Sequence, residues 1–461
     1  MSSTTETSDS SSVSKLAVRG AVWTIIGYGA SQTLRFGSNL ILTRLLVPEL
    51  FGLMALVYVF ITGLNMFSDV GIGFSIIQNK RGDDRNFLNT AWTIQVIRGL
   101  VLWLGCLTLA YPAAQIYAEP RLLWLIPVVG LNTIVAGFNS TAVFTLNRHL
   151  RVREMAFYEF SGQLLGTTVI VIWAWINPSI WALVAGGIIT PVYQLILSYL
   201  LNHFVNKDKP NRFLWDKSSA KEILSFGIWI FLSTAMTFFG ENADRLILGK
   251  MLGFKMLGIY GIAVTFADLP RSVTAALSGK VVMPAISKIA DQSRATVRLK
   301  IARKRRLILL AISVGLGALA SFGDLIIKTL YDDRYIEAAW MLPILALGIW
   351  PRLLCNTIEP ALFAIGKPQY TTVANISRFT CTAVGIQVGY SMFGLFGSVL
   401  GVALNDLCYY LVVLYGLWRE ELINIKHDLL ATALLLATIA VLLKLRLLIG
   451  IGLPLDSLLQ A

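Results

Sequence analysis

Two stretches of this chain carry the same landmarks in the same order. Residues 23–60 read WTIIGYGASQTLRFGSNLILTRLLVPELFGLMALVYVF, and residues 229–266 read WIFLSTAMTFFGENADRLILGKMLGFKMLGIYGIAVTF. The offset is constant and ungapped, 229 − 23 = 206. Trp23 meets Trp229, the Leu-Ile-Leu at 40–42 meets that at 246–248, and Arg44 meets Lys250. Leu46 meets Leu252, Gly52 meets Gly258 and Phe60 meets Phe266. Both stretches are long and apolar. Internal duplication of membrane segments points to a carrier built from two bundles, with its binding site between them. A duplicated membrane enzyme is the rarer outcome.

The chain is 56% hydrophobic and 14% charged, with a mean hydropathy of +0.68. Long apolar runs read as transmembrane helices, each needing about 20 residues to cross about 30 Å of hydrocarbon. Twelve such spans are expected near 22–43, 51–77, 88–111, 122–146, 156–176, 180–202, 223–248, 256–283, 307–330, 338–365, 371–393 and 395–418. A further apolar stretch, 429–453, is interrupted by Lys444 and Arg446, so it crosses or lies at the interface. The expected fold class is an all-α polytopic membrane protein of two pseudo-symmetric six-helix bundles, with a possible extra C-terminal membrane segment.

The net charge of +13 invites a nucleic-acid partner, but its distribution argues against one. With the N-terminus in the cytoplasm, Lys15, Arg19, Lys80, Arg81, Arg85, Arg148, Arg151, Arg153, Lys207, Lys209, Arg212, Lys217 and Lys221 fall on the inner side. The cluster from Lys288 to Arg306 joins them, while the outer loops hold only Arg44, Arg121, Lys250, Lys255, Lys328 and Arg334. That asymmetry is the positive-inside rule. Residues 1–14 are expected as a disordered cytoplasmic tail, 15–206 as the first lobe and 207–221 as a cytoplasmic connector. Residues 222–420 are expected as the second lobe and 421–461 as a C-terminal extension. Six helices per half make the repeat parallel. The segment 287–306, SKIADQSRATVRLKIARKRR, reads as a basic amphipathic stretch on membrane lipids of the cytoplasmic leaflet.

Little in the sequence supports chemistry. His149, His203 and His427 all fall in expected loops, which argues against a histidine relay or metal site. Cys106, Cys355, Cys381 and Cys408 lack metal-type spacing and read as small buried hydrophobes. No Walker-type loop is present, and no cofactor is implied. The outer loops YAEPRL, NPS, FKML and YDDRYIE are too short for the catalytic loops of a polymerase or ligase of polysaccharide assembly. That enzyme class stays the alternative from outside transport.

Charge inside the apolar spans is the informative feature. A charged group at the bilayer centre costs at least about 2.5–3.5 kcal/mol on insertion scales, so it faces a partner or water. The spans carry Arg35 (flanked by Gln32 and Asn39), Asp69, Arg98, Glu159 with Gln163, and Glu241 with Asp244 and Arg245. Further along they carry Asp268 and Arg271 around Pro270, Arg352 and Glu359 beside Pro351 and Pro360, then Arg378 and Asp406. A hydrated, amphoteric cavity accounts for the set. Bland readings compete: Asp244 and Arg245 form a local pair, Lys280 snorkels and Glu159 is interfacial. Arg35 and Glu241 are repeat equivalents (35 + 206 = 241) of opposite sign and would pair as a gate if the halves face each other. Arginine matters because its planar fork stays charged and grips phosphate oxygens with paired hydrogen bonds.

Three segments resemble a known family: TRLLVPELFGLMAL at 43–56, ADRLILGKMLGFKMLGIYGIA at 243–263 and PALFAIGKPQY at 360–370. They resemble Wzx-type polysaccharide exporters of the multidrug/oligosaccharidyl-lipid/polysaccharide (MOP) flippase superfamily. The resemblance implies two six-helix lobes in a V shape around a central cavity, in a bacterial inner membrane. It implies flipping of undecaprenyl-diphosphate-linked oligosaccharide from the cytoplasmic to the periplasmic leaflet. On that reading Arg35, Arg98, Arg271, Arg352 and Arg378 hold the diphosphate, and Asn132, Asn139, Gln163 and Asn375 hydrogen-bond sugar. Asp69, Asp268 or Asp406 titrates or binds a coupling cation, proton or sodium, and Glu241 serves a gate. Association with polysaccharide polymerase machinery is a further expectation. The alternative within transport, a cation-coupled multidrug exporter, is disfavoured by the arginine excess.

Overall fold

The structure is a computed structural model that describes residues 26–149, 151–206, 210–278, 286 and 292–456. The expected tail at 1–14, and Lys280 and Lys288, lie outside the described residues. Helix is the dominant regular structure. In chain order the helices are α1 (26–45), α2 (Pro48–Phe67), α3 (Ile72–Gln78), α4 (Arg85–Ile116), α5 (Leu122–Gly137) and α6 (Ala142–Arg148). There follow α7 (Val152–Ile176), α8 (Ile180–Asn206), α9 (Lys217–Ala267), α10 (Leu269–Leu277) and α11 (Arg294–Leu330). The last are α12 (Ala338–Gly348), α13 (Trp350–Asn356), α14 (Pro360–Ala364), α15 (Gln369–Ala403), α16 (Asn405–Arg419) and α17 (Ile425–Leu448). Among the described residues eight helices are long and apolar enough to cross a membrane, or ten if each of two bent pairs counts as one span.

That number is smaller than the expected spans because several turns shrink almost to nothing. The expected loop FKML at 254–257 is helical, and the turn before it is Gly253 alone, at φ 76° and ψ 171°. Only a residue without Cβ adopts that conformation freely. Phe393 and Gly394 make the corresponding break within α15. Within the expected amphipathic stretch 287–306, the residues from Arg294 onward form the start of α11. At 1.5 Å per residue that helix runs about 55 Å, well beyond a bilayer core of about 30 Å.

Other expected spans are broken instead. Residues 122–146 divide into α5 and α6, bent by 62°, and 338–365 bends by 40° after α12. Prolines sit in the first turns of α13 and α14, where the missing N–H is tolerated. The carbonyls freed at each break are satisfied by side chains. Gln95 Nε2 donates to Ala136 O, Gly137 O and Asn139 O at 3.0–3.1 Å. Arg305 Nη2 donates to Leu354 O at 3.0 Å, and Ser278 Oγ to Asn356 O at 2.5 Å.

The chain forms two compact units: 1–46 with 57–235, and 47–56 with 236–461. The first unit has one core where α3 and α4 meet the start of α9, through Ile76, Phe87, Ala91 and Ile223. In the second unit, α11, α12, α13 and α17 share a core that includes Leu316, Leu353 and Leu435. The segment 47–56 packs in the second unit through a reciprocal glycine contact. A Cβ on Gly52 would collide with Phe254 O, and one on Gly258 would collide with Pro48 O. Gly52 and Gly258 are repeat equivalents, as are Pro48 and Phe254 (48 + 206 = 254).

The C-terminal stretch forms one helix, α17, and its interruption by arginine is resolved by a partner. Arg446 donates to both oxygens of Asp324 on α11 at 2.6 Å, to Ser321 O, and to Gly452 O at 2.6 Å. At the other end of α17, Asp428 accepts from Tyr410 Oη at 2.9 Å and pairs with Arg305 at 2.5 Å. Two ion pairs thus hold α17 along α11.

Candidate functional site

The second unit gathers most of the intramembrane charges. Asp268 occupies the N-cap position of α10 without a side-chain capping bond, and Pro270 lies in the first turn. One turn on, Arg271 pairs with Glu241 of α9 at 3.1 Å and approaches Asp268 at 3.9 Å. Arg378 of α15 lies 2.9 Å from Asp406 of α16, and its Nε donates to Asn405 Oδ1 at 3.4 Å. The Arg352 guanidinium sits 4.0 Å from the centroid of the Tyr409 ring and 3.9 Å from Glu359. Tyr409 Oη in turn donates to Glu359 Oε1 at 2.6 Å. Such a cation over an aromatic face gains more when desolvated.

These pairs share one electrostatic field. Glu241 feels the charges of Arg271, Arg378, Arg352 and Arg245, and Asp268 feels Arg271, Arg245, Arg378 and Asp406. Arg245, Arg271, Arg352 and Arg378 therefore stand among the carboxylates Glu241, Asp268, Glu359 and Asp406, with Asp244 beside them. The hydrogen bonding of this cluster is not complete. Among the described residues Arg352 Nε and Nη1, Arg378 Nη1, Asn375 Oδ1 and Asp406 Oδ1 are buried without a hydrogen-bond partner, although Asp406 Oδ1 lies 2.9 Å from Arg378 Nε. Buried donors of a guanidinium in that condition are costly unless an acceptor reaches them. Asn375 is held beside Gly240 by a 3.2 Å bond to Thr237 Oγ1.

In the first unit Asp69, Arg98, Asn132 and Asn139 line one cavity of about 610 Å³. Arg98 is heavily engaged there. Its Nε donates to Ser68 O and Oγ, both at 2.9 Å, and its Nη2 to Asn65 O at 2.8 Å. It thereby satisfies carbonyls at the end of α2, where a cation is favoured. Asp69 Oδ1 accepts from Gly71 N at 2.9 Å and so shapes the turn into α3. Gln163 is not at this cavity: it ties α7 to α1 through Ser31 O at 3.0 Å. Arg35 is exposed on α1. Glu241, its repeat equivalent, is engaged by Arg271 within its own unit.

Sequence reasoning left Tyr409, Asn405 and Gln95 out of the site, and Glu359 without a role. A glutamine in the apolar run WTIQVIR was the available signal for Gln95. Tyr409 carried none, since a tyrosine near a helix end is ordinary.

The fold of this multi-pass membrane protein, two helical units each with a broken helix beside a polar cluster, is similar to that of solved transporters of the MOP superfamily. A solved inward-facing multidrug MATE transporter of that superfamily superposes with a TM-score of 0.64 at 15% identity, covering 85% of this chain and 94% of that one. The lipid II flippase MurJ in an inward closed conformation gives a TM-score of 0.69 at 12% identity, covering 96% and 95%. Residues 41–340 match the family described as polysaccharide biosynthesis protein, and the chain belongs to that family. Among curated relatives, the succinoglycan biosynthesis transport protein ExoT of Rhizobium meliloti (strain 1021) is 23% identical over 77% of this chain and 70% of its own. The lipopolysaccharide biosynthesis protein WzxC of Escherichia coli (strain K12) is 23% identical over 85% of this chain and 79% of its own.

Proposed function

We propose that the protein is a flippase that carries undecaprenyl-diphosphate-linked oligosaccharide from the cytoplasmic to the periplasmic leaflet of a bacterial inner membrane. One observation carries the reading: buried arginines in the second unit, each beside a carboxylate, keep guanidinium donors without an acceptor. A lipid diphosphate supplies the missing acceptors, and charge-assisted bonds of this kind are worth about 1.5–3 kcal/mol each. The family supports a role in polysaccharide biosynthesis, and the likeness to the succinoglycan transport protein supports export as that role. The cargo's sugar portion is bound by amide side chains, and the exported units pass to polymerase machinery.

The paired carboxylates suggest how transport is coupled. With Asp406 and Glu359 ionised, Arg378 and Arg352 are held by their own partners. A proton or sodium ion on the carboxylate frees the guanidinium to grip the diphosphate, and its departure returns the arginine and expels the cargo. Arg352→Ala and Arg271→Ala should abolish flipping of a lipid-diphosphate sugar in reconstituted vesicles while the protein remains folded. Lysine should restore only part, because an ammonium keeps charge but loses the bidentate geometry. Asp406→Asn should bind lipid diphosphate yet lose the response to an imposed ion gradient. Equal handling of a neutral lipid-linked sugar would overturn the phosphate clamp, and new glycosidic bonds in the same vesicles would favour an enzyme.

A further inference from the structure

The first-unit cavity is chemically unlike the charged cluster of the second unit. Its walls set amides, among them Asn65, Gln95, Asn132 and Asn139, into a mainly apolar lining that includes Phe74 and Phe144. Its one guanidinium, Arg98, is committed to the end of α2 and is offset by the Asp69 charge. An anion finds no uncompensated cation here, and a cation meets the nearby guanidinium. A volume of about 610 Å³ falls within the range of small-molecule sites.

Gln95 gives the cavity its direction. The residue is 8% exposed, and its Nε2 is held by three carbonyls, two at the end of α5 and one in the break that follows. Those three acceptors fix the amide's orientation, because its oxygen in that position would face oxygen. Gln95 Oε1 is thus held where no donor reaches it among the described residues, and Asn139 Oδ1 is buried in the same condition. The fixed Gln95 oxygen calls for a ligand that donates, and the Asn139 amide lines the same cavity. Phe74, 57% exposed, offers an apolar ring beside them. Acceptor amides beside an aromatic ring suit a pyranose, whose hydroxyls donate and whose C–H face is apolar.

We propose that this cavity is a neutral saccharide subsite, distinct from the diphosphate cluster, that takes one sugar of the cargo. The inference rests on the flippase reading and deepens it by giving the sugar a site within the first unit. Its flanking helices α3 and α6 end at Gln78 and Arg148, where Arg148 bridges Ile76 O, Ile77 O and Asn79 O. The cavity therefore neighbours the basic end of the bundle, the side from which cargo is loaded.

The test uses the full chain in lipid nanodiscs and compares undecaprenyl diphosphate with the same lipid carrying glucose, galactose or N-acetylglucosamine. At least one sugar-bearing lipid should bind about tenfold tighter than the bare lipid, the worth of one or two neutral hydrogen bonds. Asn132→Leu and Asn139→Leu should each erase that gain and leave bare-lipid affinity unchanged. No gain from any sugar, a gain that survives both substitutions, or equal loss for bare and glycosylated lipid would overturn the subsite. Arg352→Ala separates the two readings: it should abolish binding of every lipid while the three free monosaccharides still bind. Failure of the wild-type chain to bind bare diphosphate would sink the clamp. The subsite would then stand or fall on whether the free sugars bind wild type better than Asn132→Leu.

Discussion

Arg446 sits fully buried in a helix made largely of leucine, isoleucine, valine and alanine. Its guanidinium is matched to both oxygens of Asp324, which is equally buried. Removing one partner of such a pair leaves a bare charge in apolar surroundings and costs about 3–5 kcal/mol. Arg446→Leu should therefore sharply lower the thermal stability of the purified protein. The double change Arg446→Leu with Asp324→Leu should recover most of it, since apolar replacement of both partners is near neutral. Recovery failing with both side chains apolar would mean that the pair also specifies where α17 docks. At Gly258 the constraint is steric. A methyl group there meets backbone rather than a flexible side chain. Gly258→Ala should cost about 1–3 kcal/mol, read as a lower melting temperature, whereas alanine at Gly261, which has open space, should not.

At residues 210–216, before α9, the chain is an extended strap laid on α4. Arg212 N donates to Asn89 Oδ1, Leu214 N to Thr93 Oγ1 and Asp216 N to Thr90 Oγ1, each at 3.1 Å. The period of two is that of an extended strand, with alternate amides facing the helix. Phe213 lies 4.7 Å from the Trp92 ring, and Asn211 bonds to Ser140 and Thr141. The connector belongs to the first unit and is not a loose tether. Thr90→Val with Thr93→Val should raise amide hydrogen exchange at 212–216 by the loss of two bonds, each worth about 0.5–1.5 kcal/mol. Unchanged exchange would show that the ring contact alone holds the strap. Its pH dependence follows from Asp216, whose carboxylate accepts from the Ser219 and Ser218 hydroxyls and from Ser219 N and is held well below the usual range. A depressed folded pKa contributes stability above the unfolded value of about 3.9 and loses it as pH falls towards the folded one. Protection at Ser219, corrected for intrinsic exchange, should stay flat from neutral pH to about 4 and decline only below it.

For the whole molecule, the orientation drawn from the loop charges puts Ser293 in the cytoplasm. Ser293 is exposed just before α11, so Ser293→Cys is a direct probe. An impermeant thiol reagent should leave it unlabelled in intact cells and label it in inverted vesicles. Labelling from outside would reverse the assignment and with it the direction proposed for cargo.

The membrane class was legible in the sequence because hydropathy is a property of consecutive residues, and a run of 20 apolar side chains has few other destinations. The duplication was legible for the same reason, as order along the chain. The charges were also visible, because each is expensive where it stands. What the tertiary structure decided is who answers each charge. Arg446 needs Asp324, Arg352 needs Tyr409 and Glu359, and Arg378 needs Asp406, all on other helices. Nothing local selects among the carboxylates available, since pair energy depends on distance and desolvation in the folded core. The same holds for the breaks. A single glycine at 253 or a stretch of carbonyls held by Gln95 barely alters the summed hydropathy, yet each redirects a helix. Composition therefore settled that these segments enter a membrane, and packing alone settled where they bend and which polar groups they bring together.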